Sequence, residues 1–152
     1  MFRLPRRTTF TLEAVADIAY NARPNPVQAK EITQRQGIPQ RYLEQVMQHL
    51  VHAGILKGVR GPNGGYTLAR ERRRITLGEV VRAVAALERD GEGAEDDAAG
   101  SALGLKVVRP LCDELINSVM RELDSVTLED ICDRAKEAGI PRQGRGSPDF
   151  TI

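Results

Sequence analysis

The chain has 152 residues, 41% of them apolar and 28% charged, with a formal net charge of +1. That length suits one compact domain with a helical appendage, and no run approaches the ~20 apolar residues that a membrane span needs. The basic start (Arg3, Arg6, Arg7) leads into Thr8, Thr9, Thr11 and Glu13 rather than an apolar signal core. The two cysteines, Cys112 and Cys132, are too few for a disulfide framework, so a cytoplasmic location is expected.

Charge is unevenly spread: the chain is basic up to Arg74, whereas Glu88, Asp90, Glu92, Glu95, Asp96 and Asp97 face a single Arg89. This asymmetry fits a nucleic-acid face on the N-terminal part alone. A first helix is expected from Thr8 or Thr9, both good caps, with Leu12, Val15, Ala16, Ile18 and Ala19 on one face and Pro24 and Pro26 closing it. A short helix follows from about Gln28 to Gln36, with Ile32 inward and Gly37 as the stop. Pro39 suits the first position of the next helix. There Tyr42, Leu43, Val46, Met47, Leu50 and Val51 give the spacing of a half-buried helix that ends at Gly54.

Ile55–Val59 reads as a strand, Arg60 to Gly65 as a glycine-rich turn and Tyr66–Leu68 as the return strand, with Asn63-Gly64 as a hairpin dipeptide tolerant of positive φ. Thr76-Leu-Gly-Glu79 has the form of a capping box opening a helix through Val80, Val81, Val84 and Leu87. The stretch Glu88–Gly104 reads as a mobile acidic loop. A long helix is then expected from about Leu105 to Asp124, its apolar stripe formed by Val108, Leu111, Cys112, Leu115, Val119 and Leu123. So short a chain has little left to cover that stripe, so a second copy of the helix is its expected cover. Thr127-Leu-Glu-Asp130 opens a last helix carrying Ile131 and Cys132, stopped by Gly139 and Pro141. The fold class expected is mainly α: a winged helix-turn-helix over 1–87, a loop over 88–104, a dimerisation helix and last helix over 105–139, and a tail over 140–152.

Helix, turn, helix and two-stranded wing is the order of a DNA-binding motif. On the expected recognition helix Gln40, Arg41, Glu44 and Gln45 lie opposite the apolar stripe, and these side-chain types read base edges: Arg guanine, Gln adenine, Glu the cytosine amino group. A solvated polar face is the plain alternative, which the adjoining wing argues against. Arg60 is placed to enter a minor groove, and the backbone around Gly61, Pro62, Asn63 and Gly64 to meet phosphates. Arg6, Arg7, Thr8 and Gln28 are further candidate phosphate contacts, and Tyr42 joins the DNA-binding set. No catalytic constellation is visible: there is no phosphate-cradling glycine loop between strand and helix, and no nucleophile–base pair. His49 and His52 lack a companion thiol or carboxylate motif and are read as solvent-facing rather than as metal ligands.

Arg41-Tyr-Leu-Glu-Gln45, Gly54-Ile-Leu and Val59-Arg-Gly-Pro-Asn-Gly-Gly-Tyr-Thr-Leu-Ala69 resemble the Rrf-two family of bacterial regulators. Ile75-Thr-Leu-Gly-Glu-Val-Val-Arg-Ala-Val84 and Asp124-Ser-Val-Thr-Leu-Glu-Asp-Ile131 extend the resemblance, which runs from about Phe10 to Ala135. Arg7-Thr8-Thr9 departs from it, standing where a Lys-Gly-Arg is common. The resemblance implies a transcriptional repressor, a homodimer, a long dimerisation helix and a palindromic operator in double-stranded DNA. Cluster-binding members carry three cysteines in the loop before the long helix. Here Glu88–Gly104 contains none, so no iron–sulfur cluster of the usual kind, and no other cofactor, is expected. A cluster bridged by Cys112 of two subunits would need further ligands, and redox or nitric-oxide sensing through Cys112 or Cys132 stands as the alternative.

The tail Gly146-Ser-Pro-Asp-Phe-Thr-Ile152 follows the basic Arg142-Gln-Gly-Arg145 and ends on a branched apolar residue with a free carboxylate. It is similar to the C-terminal peptide of serine acetyltransferases, which inserts a terminal Ile into cysteine synthase, and the family's cysteine-metabolism repressor also partners that enzyme. The resemblance implies cysteine synthase as a partner. Ile152 would be the anchor, its carboxylate the mimic of a substrate carboxylate, Phe150 an apolar contact and Asp149 polar support, with Thr151 between them.

Overall fold

A computed structural model describes residues 1–22, 25–91 and 99–143, the side chains of 90 and 91 excepted. Its elements in order are α1 (Arg6–Asn21), α2 (Ala29–Gln36), α3 (Gln40–His52), β1 (Leu56–Val59), β2 (Gly65–Leu68), a 3-10 turn (Arg72–Arg74), α4 (Leu77–Gly91), α5 (Arg109–Asp124) and α6 (Leu128–Glu137). Helix α1 starts earlier than the threonines suggest. Pro5 precedes its first residue, and no side chain caps it. Helix α2 follows the sequence reading closely: Gln28 stands at its N-cap and Gly37 at its C-cap, in the left-handed conformation (φ 67°, ψ 26°) that a side chain disfavours. Pro39 is the N-cap of α3 rather than its first residue.

The wing is an antiparallel pair with Leu56 opposite Leu68 and Val59 opposite Gly65. Its tip is not the two-residue Asn-Gly turn expected. Neither Asn63 nor Gly64 has positive φ, which falls instead on Gly61 (112°) and Gly65 (152°). Gly64 is required by crowding, since a Cβ there would lie 2.1 Å from the Val59 carbonyl oxygen. Beyond the hairpin, Val27 and Tyr66 exchange both backbone hydrogen bonds (3.0 and 2.8 Å), tying the residue before the N-cap of α2 to the return strand.

Helix α4 runs four residues past Leu87, and the long helix begins at Ala102, so the linker is shorter than 88–104; residues 92–98 lie outside the described set. A π-helical stretch, Gly104–Val108, leads directly into α5. Thr127 and Asp130 form the complete capping box expected of α6. At α4 the box is half made: the Thr76 hydroxyl accepts from the Glu79 amide at 3.2 Å, while the Glu79 carboxylate turns to Arg70 at 2.6 Å.

The core gathers Val15, Ile18, Ile32, Leu43, Val46, Met47, Leu50, Ile75, Val80 and Leu128 between α1, α2, α3, α4 and α6. Val51, placed in the apolar stripe by spacing, is exposed. Among the described residues no helix is long and apolar enough to cross a membrane. One buried ionic knot joins α1 to α2: Asp17, its side chain wholly buried, receives Arg35 Nε and Nη2 at 2.9 and 2.7 Å, Gln36 Nε2 at 2.8 Å and Asn21 Nδ2 at 3.3 Å. Its hydrogen bond to Asp17 holds the Arg35 guanidinium above its ordinary pKa against the opposing pull of burial. Removing one partner of such a pair strands the other, so Asp17→Asn should cost about 3 kcal/mol of unfolding free energy in urea titration. A loss under ~1 kcal/mol, the level of an exposed pair, would show that the knot does not hold α2 in place.

Candidate nucleic-acid interface

Helix α3, the candidate recognition helix, is pinned at both ends. Near its start, the Tyr42 hydroxyl donates to the Arg7 carbonyl at 2.8 Å and lies 2.9 Å from the Thr11 hydroxyl, while its ring packs on Phe10. Burial pushes the Tyr42 phenol up in pKa, opposed by the Thr11 hydrogen bond and the Arg7 charge. Near its end, a His49 ring nitrogen meets the Ala83 carbonyl at 2.8 Å. His49 is therefore not solvent-facing, as spacing suggested, but clips α3 to α4.

Between the pins, Leu43, Val46, Met47 and Leu50 are buried and Gln40, Arg41, Glu44 and Gln45 are exposed, as an amphipathic helix requires. The Gln40 amide donates to Glu44 at 3.0 Å, which orders that first turn. Gln48 is exposed on the same face one turn on, a residue of base-reading type that the sequence reading passed over although the same i, i+4 spacing marks it. Arg60 is exposed at the base of the wing loop, with Gly61, Pro62 and Asn63 also exposed. The Gln28 side chain donates to the Pro62 carbonyl at 3.4 Å, drawing the wing tip to the start of α2.

The Tyr42 anchor brings the first turn of α1, which carries the exposed Arg6 and Arg7, to the first turn of α3. Arg6 also rests over the Phe10 ring, 5.7 Å from its centroid. Three expected contacts need correction. Thr8 is only 5% exposed and packs inward. Tyr42 is half-buried with its hydroxyl committed inward. Gly64 is buried and its amide bonds the Gly61 carbonyl at 2.9 Å, so it has no hydrogen to offer a phosphate.

Helix α5 contacts α4 but has no buried residue of its own. Val108, Leu111, Leu115 and Val119 are 49%, 51%, 60% and 45% exposed, Cys112 is exposed too, and Leu123 is half-buried. Leu103, Val107 and Ile116 lengthen the uncovered stripe. Cys132 is buried. Among the described residues no group of three or more His, Cys, Asp and Glu side chains is placed to hold a metal ion. Asp149, Phe150, Thr151 and Ile152 lie outside the described residues.

Residues 4–134 match the family described as "Rrf2: Iron-dependent Transcriptional regulator". Protein rrf2 of Nitratidesulfovibrio vulgaris is 32% identical over 85% of this chain and 86% of its own length. The HTH-type transcriptional regulator IscR of Escherichia coli is 40% identical over 54% of this chain and 51% of its own length, so that match spans about half of each. Among solved structures, T. potens IscR superposes with a TM-score of 0.72 at 32% identity, covering 93% of this chain and 94% of that one. CymR (YrzC), the global cysteine regulator of B. subtilis, gives 0.67 at 29% identity over 88% of this chain and 98% of that one.

Replacing Arg41 by Ala should weaken binding to a specific operator by about 1–3 kcal/mol in fluorescence-anisotropy titrations while leaving non-specific DNA nearly untouched. Equal loss on both DNAs would refute a base-reading role.

Proposed function

Because the chain belongs to the Rrf2 family of transcriptional regulators, we propose that it is a homodimeric, DNA-binding repressor of cysteine or sulfur metabolism. Its effector in this reading is cysteine synthase, engaged through Ile152. The observation that carries the DNA-binding part is the exposed quartet Gln40, Arg41, Glu44 and Gln45 on a helix pinned at both ends beside a wing bearing Arg60.

The dimer is supported by the bare stripe on α5. Seven large apolar side chains at helical spacing, each 45–67% exposed, form a patch that a second copy of the same helix would bury isologously. Two copies would then present their α3 helices to successive major grooves about one DNA turn apart. In Leu115→Glu each protomer loses about 2 kcal/mol of apolar burial and gains a buried charge. Light scattering at micromolar concentration should then shift from dimer to monomer; an unchanged mass would locate the dimer contact elsewhere.

The sulfur assignment draws on the tail and on the likeness to CymR, the global cysteine regulator of B. subtilis. Deleting Ile152 should abolish binding to purified cysteine synthase, and O-acetylserine should displace the full-length protein. Should neither form bind, the tail carries no partner and the sulfur assignment falls with it.

The family description names iron, yet the residues present do not fit a cluster of the usual kind. The chain has two cysteines and two histidines in all, none of them within 88–104, and Cys132 is buried on α6. Regulation through a cluster is therefore not part of this reading. A thiol sensor is the second reading, favoured by the exposed Cys112 on α5. Operator binding that keeps its response to oxidant after both cysteines become serine would exclude it.

A further inference from the structure

Four separate segments line a small, half-open cavity on the side of the molecule where the C-terminal residues return to α1. It is about 120 Å³ in volume and lined by Tyr20, Arg72, Cys132, Asp133, Lys136 and Arg142. That is far above the ~15 Å³ that one water needs. Its walls carry three cationic side chains and one carboxylate. Arg72 is fixed in place by Glu129, with Nε at 2.9 Å and Nη2 at 3.4 Å. Lys136 and Asp133 form no ion pair among the described residues. The strap over the cavity, residues 140–143, is tied to α1: Arg142 Nε donates to the Tyr20 carbonyl at 3.0 Å, the Tyr20 hydroxyl to the Ile140 carbonyl, and the Gln143 amide to Asn21 Oδ1 at 2.8 Å.

We propose that this cavity is a binding site for a small anionic metabolite bearing a carboxylate or phosphate, held by Arg72, Lys136 and Arg142. Such oxyanions form the short, charge-assisted hydrogen bonds that Arg and Lys make best. Asp133 favours a ligand that also carries a donor, a hydroxyl or an ammonium. The thiol of Cys132, buried against Arg72, lines the same space and serves as a built-in reporter. Arg72 follows β2 by four residues, so an anion bridging it to Lys136 and Arg142 would join the base of the wing to α6 and to the strap. This site is independent of the tail and of cysteine synthase.

The test uses the full chain carrying Cys112→Ser, so that Cys132 is the one thiol. Alkylation by neutral iodoacetamide, followed by intact mass, is compared in sodium phosphate, sodium succinate and sodium chloride at matched ionic strength. Occupancy should slow Cys132 alkylation at least fivefold over chloride, and the preference between phosphate and succinate distinguishes the two ligand types. In Lys136→Gln/Arg142→Gln the protecting concentration should rise at least tenfold, as expected for losing two charge-assisted hydrogen bonds. Equal rates in all three salts, or equal protection in the double variant, would overturn the site. Where Cys132 resists alkylation throughout, the melting temperature decides: an anion-specific rise lost in the double variant supports the site, and its absence removes it.

Discussion

Helices α4 and α6 start from one shared pair of backbone hydrogen bonds. The Leu77 amide donates to the Val126 carbonyl and the Leu128 amide to the Ile75 carbonyl, both at 2.9 Å. Thr76 and Thr127 stand opposite each other in this short antiparallel bridge. The first amides of a helix have no partner inside it, and here each finds its acceptor in the segment that introduces the other helix. Ile75 and Leu128 are fully buried on either side, which keeps water from competing. Since α5 lies between these two starts in the chain, it must leave and return to one fixed point. Arg82 and Asp124 close that loop with two hydrogen bonds of 2.6 and 2.7 Å, which hold the Asp124 carboxyl below its ordinary pKa. Gly78 makes room, because a Cβ there would fall 1.8 Å from Asp124 Oδ1. Helix α5 is thereby tethered to α4 at Asp124, with its apolar stripe left exposed.

The same clasp bears on the DNA face. Helix α4 carries the Ala83 carbonyl that receives His49, so the end of the recognition helix is fastened to the helix on which α5 rests. A change in how two α5 helices pack would reach α3 through α4, by a contact with a defined donor and acceptor rather than through the wing. The wing takes its position from elsewhere, from the Val27–Tyr66 bridge and the Gln28–Pro62 contact near α2. Helix α3 and the wing, the two halves of the proposed DNA interface, thus rest on different supports.

Local chemistry was the part of this arrangement legible in the sequence. The α6 capping box needs only residues 127 to 130, and it forms as written. The similar string at 76–79 forms only half, because Arg70, nine residues away from Glu79, offers its carboxylate a charged partner. Asn63-Gly64 read as a turn dipeptide, yet loop crowding against Val59 demands the glycine for space rather than for φ. Pattern alone points Thr8 and His49 outward, yet Thr8 packs inward on α1 and the Ala83 carbonyl, 34 residues away, claims His49; Tyr42 fits the half-buried stripe by spacing, and its hydroxyl is committed to the Arg7 carbonyl, 35 residues away. The i, i+3, i+4 pattern named the outward quartet on α3 correctly because Leu43, Val46, Met47 and Leu50 leave no other orientation.

The C-terminal strap is where the proposed anion site meets the helix-turn-helix. Gln143 donates to Asn21 Oδ1, Asn21 Nδ2 donates to Asp17, and Asp17 holds Arg35 and Gln36 of α2. This is a continuous hydrogen-bonded chain from the strap to the first helix of the helix-turn-helix. Its middle member is buried and charged, so its partners cannot shift without exposing Asp17 or leaving it unpaired, a cost of several kcal/mol. An anion seated beside the strap would reinforce the bonds at residues 140–143, and through Asn21 and Asp17 it would steady the attitude of α2.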